Sequence, residues 1–361
     1  MRVLVVNPGS SSLKVALVAD GEGAKSAHVS VEDGPGELHQ VLADWAEADA
    51  VGVRFVHGGP DHLQPVRVDD GVLADLDAAR DLAPLHNPPA LDATRAIREA
   101  RPDLPVVACF DTAFHRTLPP EAATYAIPRE WNQRWRLRRY GFHGLSHQYA
   151  ASRAAAMLGR RLDELRVVTC HLGGGASLCA VARGRSVDTT MGFTPLAGLV
   201  MQVRSGSVDP GLVLWLQQHA GLSLEEVADG LEHRAGLKGL TGTSGDMREV
   251  LAGVDAGDPA CVTALDVYVH RLAREIGGMV VSAGGLDALV FTGGVGEHTE
   301  VVRARVAERL GFLGVHLDPE HNDGPATGDR DFTGSGSAVR VLVVEAREDL
   351  QIAAEVEALL R

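Results

Sequence analysis

The chain has 361 residues, more than one hydrophobic core usually serves, so two domains are expected. Apolar residues at 45% and charged residues at 23% fit a globular protein, and 41 glycines foretell small-residue loops and close backbone approaches. A formal charge of −14 argues against wrapping nucleic acid, which needs a basic face, yet leaves room for a local basic pocket. The four cysteines (Cys109, Cys170, Cys179, Cys261) lack metal-ligand spacing and read as reduced core thiols. No apolar run reaches membrane-spanning length, and the start is too short for a signal-peptide core. A cytoplasmic protein without membrane or nucleic-acid partners is therefore expected.

Residues 2–18 hold two β-branched runs, Val3–Val6 and Val15–Val18, joined by Asn7-Pro8-Gly9-Ser10-Ser11-Ser12. Such a pattern is a hairpin. Its hydroxyls and Lys14 would suit a phosphate oxygen, although the spacing is not that of a P-loop. After a turn at 31–36, the stripe Leu38, Val41, Leu42, Trp45 predicts a helix over 37–47. A buried strand over 50–56 carries Arg54 near its end, and helices follow over 70–82 and 90–100, separated by a Pro-rich break at 83–89. The strand over 105–110 closes on Asp111.

Between Trp131 and Tyr140 stand four arginines, most of which read as a solvated face. Gly141-Phe142-His143-Gly144 then leads into an alanine-rich helix over 146–158, which places His143 near a helix N-terminus suited to an anion. Strands over 165–170 and 176–183 flank His171-Leu172-Gly173-Gly174-Gly175, echoing the first hairpin and suggesting a duplicated architecture. A loop over 188–196 precedes Arg204. Asp209-Pro210 and Ser244-Gly245-Asp246 open helices, and 258–283 is the longest helical stretch. A strand over 287–291 is stopped by a glycine turn, Thr292–Glu297, that can lie flat against a ligand. The segment 322–336 looks like an exposed loop, followed by a strand over 339–344 and a helix over 348–360.

In motif order over nearly its whole length, the chain resembles the acetate/propionate kinase family of the sugar kinase–heat-shock cognate–actin superfamily. The motifs are Asn7–Lys14, Arg54–Gly59, Pro84–Pro88, Phe110–His115, Tyr140–His147, His171–Ser177, Asp188–Pro210, Asp246–Arg248, Phe291–Glu297 and Glu348–Ala353. The resemblance implies an α/β fold: a two-lobed, duplicated actin-like or ribonuclease H-like architecture, with mixed central sheets flanked by helices and the nucleotide in the interdomain cleft. Domain I would be 1–115 with 349–361, and domain II 116–348. It implies reversible transfer of the ATP γ-phosphoryl group to acetate, giving acetyl phosphate and ADP, with Mg²⁺ or Mn²⁺, in a homodimer. Alternatives are a kinase for propionate or another short-chain acid, or a nucleotide-binding homologue with little turnover.

Carried onto this sequence, the resemblance implies Asn7 and Glu348 near the metal and Lys14 near the phosphates. Arg54 would take the substrate carboxylate, with Val56, Leu85, Phe142 and Pro195 as its apolar surround. Asp111 would act at the reacting centre, and His143 and Arg204 would stabilise the transition state. His171, Leu172, Gly173, Gly174 and Gly175 would cradle phosphates. Asp246, Met247, Arg248, Gly294, Val295, Gly296, Glu297 and His298 would surround the adenosine. Five departures from the family's usual pattern stand out. Gly174 replaces Asn, and Gln202-Val203-Arg204-Ser205-Gly206-Ser207 replaces Gly-Thr-Arg-Ser-Gly-Asp. His298 replaces Asn, Glu345-Ala346-Arg347 replaces Pro-Thr-Asp, and the stretch between Lys14 and Arg54 is shorter.

Overall fold

A computed structural model describes every residue except Ser10, Ser11, 31–34, Leu85, Pro325 and Ala326. Ser10, Ser11, the start of the turn at 31–36 and Leu85 therefore lie outside the described residues, as do the side chains of Ser12 and Leu38. The chain divides into two compact units, one of 1–116, 142–149 and 347–361, the other of 117–141 and 150–346. The short stretch around His143 thus groups with the first unit, and not with the residues on either side of it.

Strands β1 (Arg2–Pro8), β2 (Ser12–Ala19), β3 (Glu22–Ser30), β4 (Ala50–Phe55), β5 (Val66–Arg67) and β6 (Val106–Phe110) form the first sheet. Their order is β3-β2-β1-β4-β6-β5, with β1, β2 and β3 antiparallel, β4 and β6 parallel to β1, and β5 antiparallel on the edge. The expected hairpin is present, with Asn7 opposite Lys14. Alternation along β1 sends Leu4 and Val6 to one face and Val3 and Val5 to the other. The first face is covered by Leu42, Leu76, Leu91 and Ile97 from three helices. The second is covered by Ile352, Ala353 and Val356 of the helix Glu348–Leu360. Both faces of β1, β4 and β6 are thus buried, as their near-continuous apolar runs require.

The second sheet contains β7 (Arg166–Leu172), β8 (Ala176–Ala182), β9 (Arg185–Thr189), β10 (Ala288–Thr292), β11 (Arg330–Asp331) and β12 (Arg340–Val343). Its order, β9-β8-β7-β10-β12-β11, repeats the first sheet strand for strand, including the antiparallel edge strand. That repetition is what a duplicated architecture requires. The helix Pro259–Ala283, capped by Asp258 and stopped at Gly284 in the left-handed region, lies against β7, β8 and β9 and buries Leu265, Val269, Leu272 and Ile276.

Three sequence expectations are corrected. The glycine turn at 292–297 is a short helix, Gly293–His298, entered through Gly293 at φ +78°. The first two residues of the loop expected over 188–196 are the end of a strand, Arg185–Thr189. The segment 322–336 is not simply exposed, since Asn322 and Phe332 are buried and β11 pairs with β12. All four cysteines are free and buried, as expected.

One buried acid gives the first unit a pH dependence. Burial pushes the Glu355 carboxyl up to about 7, against hydrogen bonds from Gln351 and Cys109 and the charge of Arg116, with Asp111 adding to the rise. Between pH 4.5 and 7 the folded chain keeps a proton that the unfolded chain releases, so stability falls as pH rises through that window. Glu355→Gln should therefore gain on the parent between pH 5 and pH 8, by at most about 3 kcal/mol. Urea midpoints at both pH values check this; an unchanged difference between the two proteins would refute it.

Candidate active site

In the first unit, four segments distant in sequence converge on one guanidinium. Arg54, at the end of β4, donates Nε to Asp111 Oδ1 at 2.9 Å and Nη2 to Oδ2 at 2.6 Å, a two-pronged pair. Its Nη1 donates to Asn7 Oδ1 at 2.9 Å and lies 3.7 Å from Glu348 Oε2. Asn7 Nδ2 in turn donates to that Glu348 oxygen at 3.0 Å. Parallel strand ends explain the meeting: β1, β4 and β6 are neighbours, and Asn7, Arg54 and Asp111 sit at or just past their C-terminal ends. Ligands commonly bind there in open α/β sheets.

Electrostatics hold this cluster tightly. Burial works against the charge of Arg54, but the Asp111 and Glu348 carboxylates outweigh it and raise its pKa. Burial pushes the Asp111 carboxyl upward, opposed by Arg54 and by the backbone N–H of His143. The side chains of Asp111 and Arg54 are only 1% and 15% exposed, so little water screens the pair.

His143 adopts φ +56°, unusual for a non-glycine residue, directly before the helix Gly144–Met157. Gly144 explains how it comes so near the carboxylate. The Gly144 N–H donates to the Asp111 carbonyl at 2.8 Å, and a Cβ at Gly144 would lie 2.2 Å from that same oxygen. Only glycine permits this approach, which draws the His143 backbone onto Asp111. Val56 and Phe142 are buried in the same unit, where Phe142 meets His57 edge-on at 5.7 Å between ring centroids. Lys14 is exposed on β2.

In the second unit a cavity of about 350 Å³ opens beside the turn between β7 and β8. Gly173 and Gly174 form one wall, Asp246, Met247 and Arg248 another, and Gly294, Val295 and His298 a third. All eight are among the residues that the family resemblance assigns to the nucleotide. Five more line it without having been assigned to the nucleotide: Gln202, Leu237, Gly245, Tyr268 and Thr299. His171, Leu172 and Gly175 belong to the same turn but do not line the cavity, nor do Gly296 and Glu297. Glu297 has turned inward. Its Oε1 accepts the backbone N–H groups of Gly293 (2.8 Å) and Ala346 (2.9 Å), a brace between the short helix and the strand end.

Asp246 caps the helix Met247–Asp255 and takes the Arg248 guanidinium on both oxygens, which with the Arg248 backbone N–H holds its carboxyl down at about 2. Arg303, only 1% exposed, donates to the Gly296 and Glu297 carbonyls and to Asn322, and stacks over Phe332 at 5.0 Å. It fixes the end of the glycine helix that walls the cavity. No sequence signal marked it, because an arginine in Glu-Val-Val-Arg-Ala-Arg reads as solvated. Arg139 is also internal glue, since its Nη1 donates to the carbonyls of Thr189, Thr190 and Met191. Arg204 donates to the Pro195 carbonyl at 3.3 Å, and burial lowers its pKa, with Glu232 opposing.

Comparison with known proteins places this geometry in context. The model of the family described as the acetokinase family matches residues 35–354. An acetate kinase of Leifsonia xyli subsp. xyli is 46% identical over 97% of both chains. Among solved structures, Porphyromonas gingivalis acetate kinase superposes with a TM-score of 0.92 at 32% identity over 100% of both chains. A propionate kinase from Francisella tularensis does so with 0.90 at 34% over 98% of both. With a family match over most of its length and near-full-length relatives above 30% identity, the chain belongs to the acetokinase family, and its two matching sheets are an actin-like α/β fold.

Proposed function

We propose that this chain is an acetate kinase, transferring the γ-phosphoryl group of ATP to acetate and running in reverse from acetyl phosphate and ADP. The observation that carries the reading is the half-buried Arg54–Asp111–Asn7–Glu348 cluster in a chain that also has a glycine-walled cavity. A carboxylic acid is ionised at pH 7, so its oxygen attacks phosphorus without a general base. One P–O bond forms to the acid as the bond to the ADP oxygen breaks, and no proton moves. The task left to the protein is positioning and charge stabilisation.

Three of the five guanidinium N–H groups of Arg54 are engaged by Asp111 and Asn7, leaving two for a substrate carboxylate. Val56, Leu85, Phe142 and Pro195 would supply the apolar surround of the methyl group. Arg204 and the His143 side chain would meet charge on the equatorial phosphoryl oxygens, Lys14 and His171–Gly175 would hold phosphates, and Asp246–Arg248 with Gly294–His298 would flank the adenosine. Asn7, Asp111 and Glu348 offer hard oxygen donors, and two carboxylates share one arginine, which leaves a negative charge for a divalent cation to offset. Oxygen donors of this kind suit Mg²⁺ or Mn²⁺, with water and phosphate oxygens completing the shell. Bound there, the ion would neutralise phosphate charge.

The likeness to a propionate kinase supports a second reading, a longer acid, since one methylene is worth only ~1–3 kcal/mol. Trapping acyl phosphate with hydroxylamine in the presence of ATP and Mg²⁺ separates acetate from propionate and butyrate. Acetate should give the highest kcat/KM, and no product with any acid would overturn the kinase reading. Arg204→Ala should lower turnover by on the order of 10³–10⁵ while ATP affinity changes little. Near-normal turnover in that variant would remove Arg204 from the chemistry.

We also infer a homodimer and a cytoplasmic location. No described helix is long and apolar enough to cross a membrane. The helix Pro210–Gln218 buries none of its residues and exposes Leu212, Leu214 and Trp215, a patch suited to a second copy. Trp215→Glu should shift the mass measured by light scattering from twice the chain mass to one; a parent already monomeric would reject the dimer.

A further inference from the structure

The turn between β7 and β8 carries three glycines in succession, so it offers a phosphate only backbone groups. The side chain nearest to it comes from elsewhere. A Cβ built on Gly174 would have the Gln202 Oε1 atom as its neighbour, at 3.2 Å, and both residues line the same cavity. That distance is tighter than an ordinary carbon contact, so the Gln202 carboxamide fills the space into which a side chain at 174 would project.

Gln202 is held in that place from three sides. Its backbone N–H donates to the Gly174 carbonyl at 3.2 Å, and its carbonyl accepts the Lys238 N–H at 2.9 Å. Its Nε2 donates to the Ser244 carbonyl at 3.3 Å. The amide nitrogen keeps one further N–H, and the side chain is half-buried at the cavity wall. Among the cavity's lining residues it is the one carboxamide. Arg248, the one arginine or lysine among those lining residues, is committed to Asp246.

We propose that Gln202 is the side-chain phosphate ligand of this nucleotide pocket, reaching across from the neighbouring loop to do what residue 174 cannot. The inference rests on the nucleotide reading of the cavity and adds a specific residue to it. Gly174 is then not a defect in the turn. It is the space that Gln202 needs, and the two positions are coupled: one accommodates a side chain only while the other yields.

Calorimetric titration of the full chain with ATP, ADP and adenosine tests this without relying on turnover. Gln202→Gly should weaken ATP and ADP about tenfold, the value of one hydrogen bond to a charged group, while adenosine binding stays within about twofold. Gln202→Glu keeps the shape and adds a negative charge, so it should weaken ATP and ADP further and again spare adenosine. Gly174→Asn alone should also weaken both phosphate ligands, by displacing the carboxamide. Combined with Gln202→Gly it should bind them better than either single variant. Phosphate ligands bound as tightly by Gln202→Gly and Gln202→Glu as by the parent would overturn the assignment, as would purely additive effects in the double variant. If the parent bound ATP but formed no acyl phosphate, the kinase reading would fail while this one stood.

Discussion

Everything in the first unit depends on one guanidinium placed where water is scarce. Arg54 bridges Asp111 by two bonds and Asn7 by a third, and Glu348 stands close behind. These four residues come from three strand ends and the last helix, so the charge network ties together the parts of the sheet that hydrophobic packing merely brings near. Removing one member of such a pair strands the other as a buried charge, which costs far more than the pair contributes. Under the proposed reaction, the same network leaves Asp111 without a proton-abstracting role. Its carboxylate already orients the arginine and receives the His143 backbone N–H, and a carboxylate nucleophile asks for no base.

The second unit solves a different problem, that of making a smooth cavity out of backbone. Glycines at 173, 174, 245 and 294 clear its walls, and two buried charged residues keep those walls still. Glu297 ties the glycine helix to the N–H groups at 293 and 346, and Arg303 ties the helix's last carbonyls to Asn322. A glycine-rich element is entropically costly to order, and these side chains supply the order from beneath.

How much of this could be read in the sequence varied with the kind of force involved. Strands with dense β-branched residues, such as β1, β4, β7 and β10, were legible because apolar periodicity reports directly on burial. β3 was not, since Glu22–Ser30 is polar and its outer residues are exposed. It exists because β2 offers it an edge. The helix Gly293–His298 was hidden by glycines that oppose helix formation, which tertiary hydrogen bonds override. Family resemblance named Asn7, Arg54, Asp111 and Glu348 one by one, but not the bonds that join them. Nothing in the sequence says that Arg54 spends its fork on Asp111, that Glu297 faces inward, or that Gln202 stands over Gly174.

The first unit is assembled from three pieces of chain, and the last of them carries Glu348 and the helix that covers one face of its sheet. During synthesis the second unit therefore has nearly all its residues before the first can close. Until residues 347–361 emerge, Val3, Val5, Ala50 and Val107 have an uncovered apolar face, and the charge cluster lacks a member. The order in which the units can close is thus the reverse of the order in which they begin, and the waiting half-built sheet is the part of the nascent protein most exposed to wrong partners.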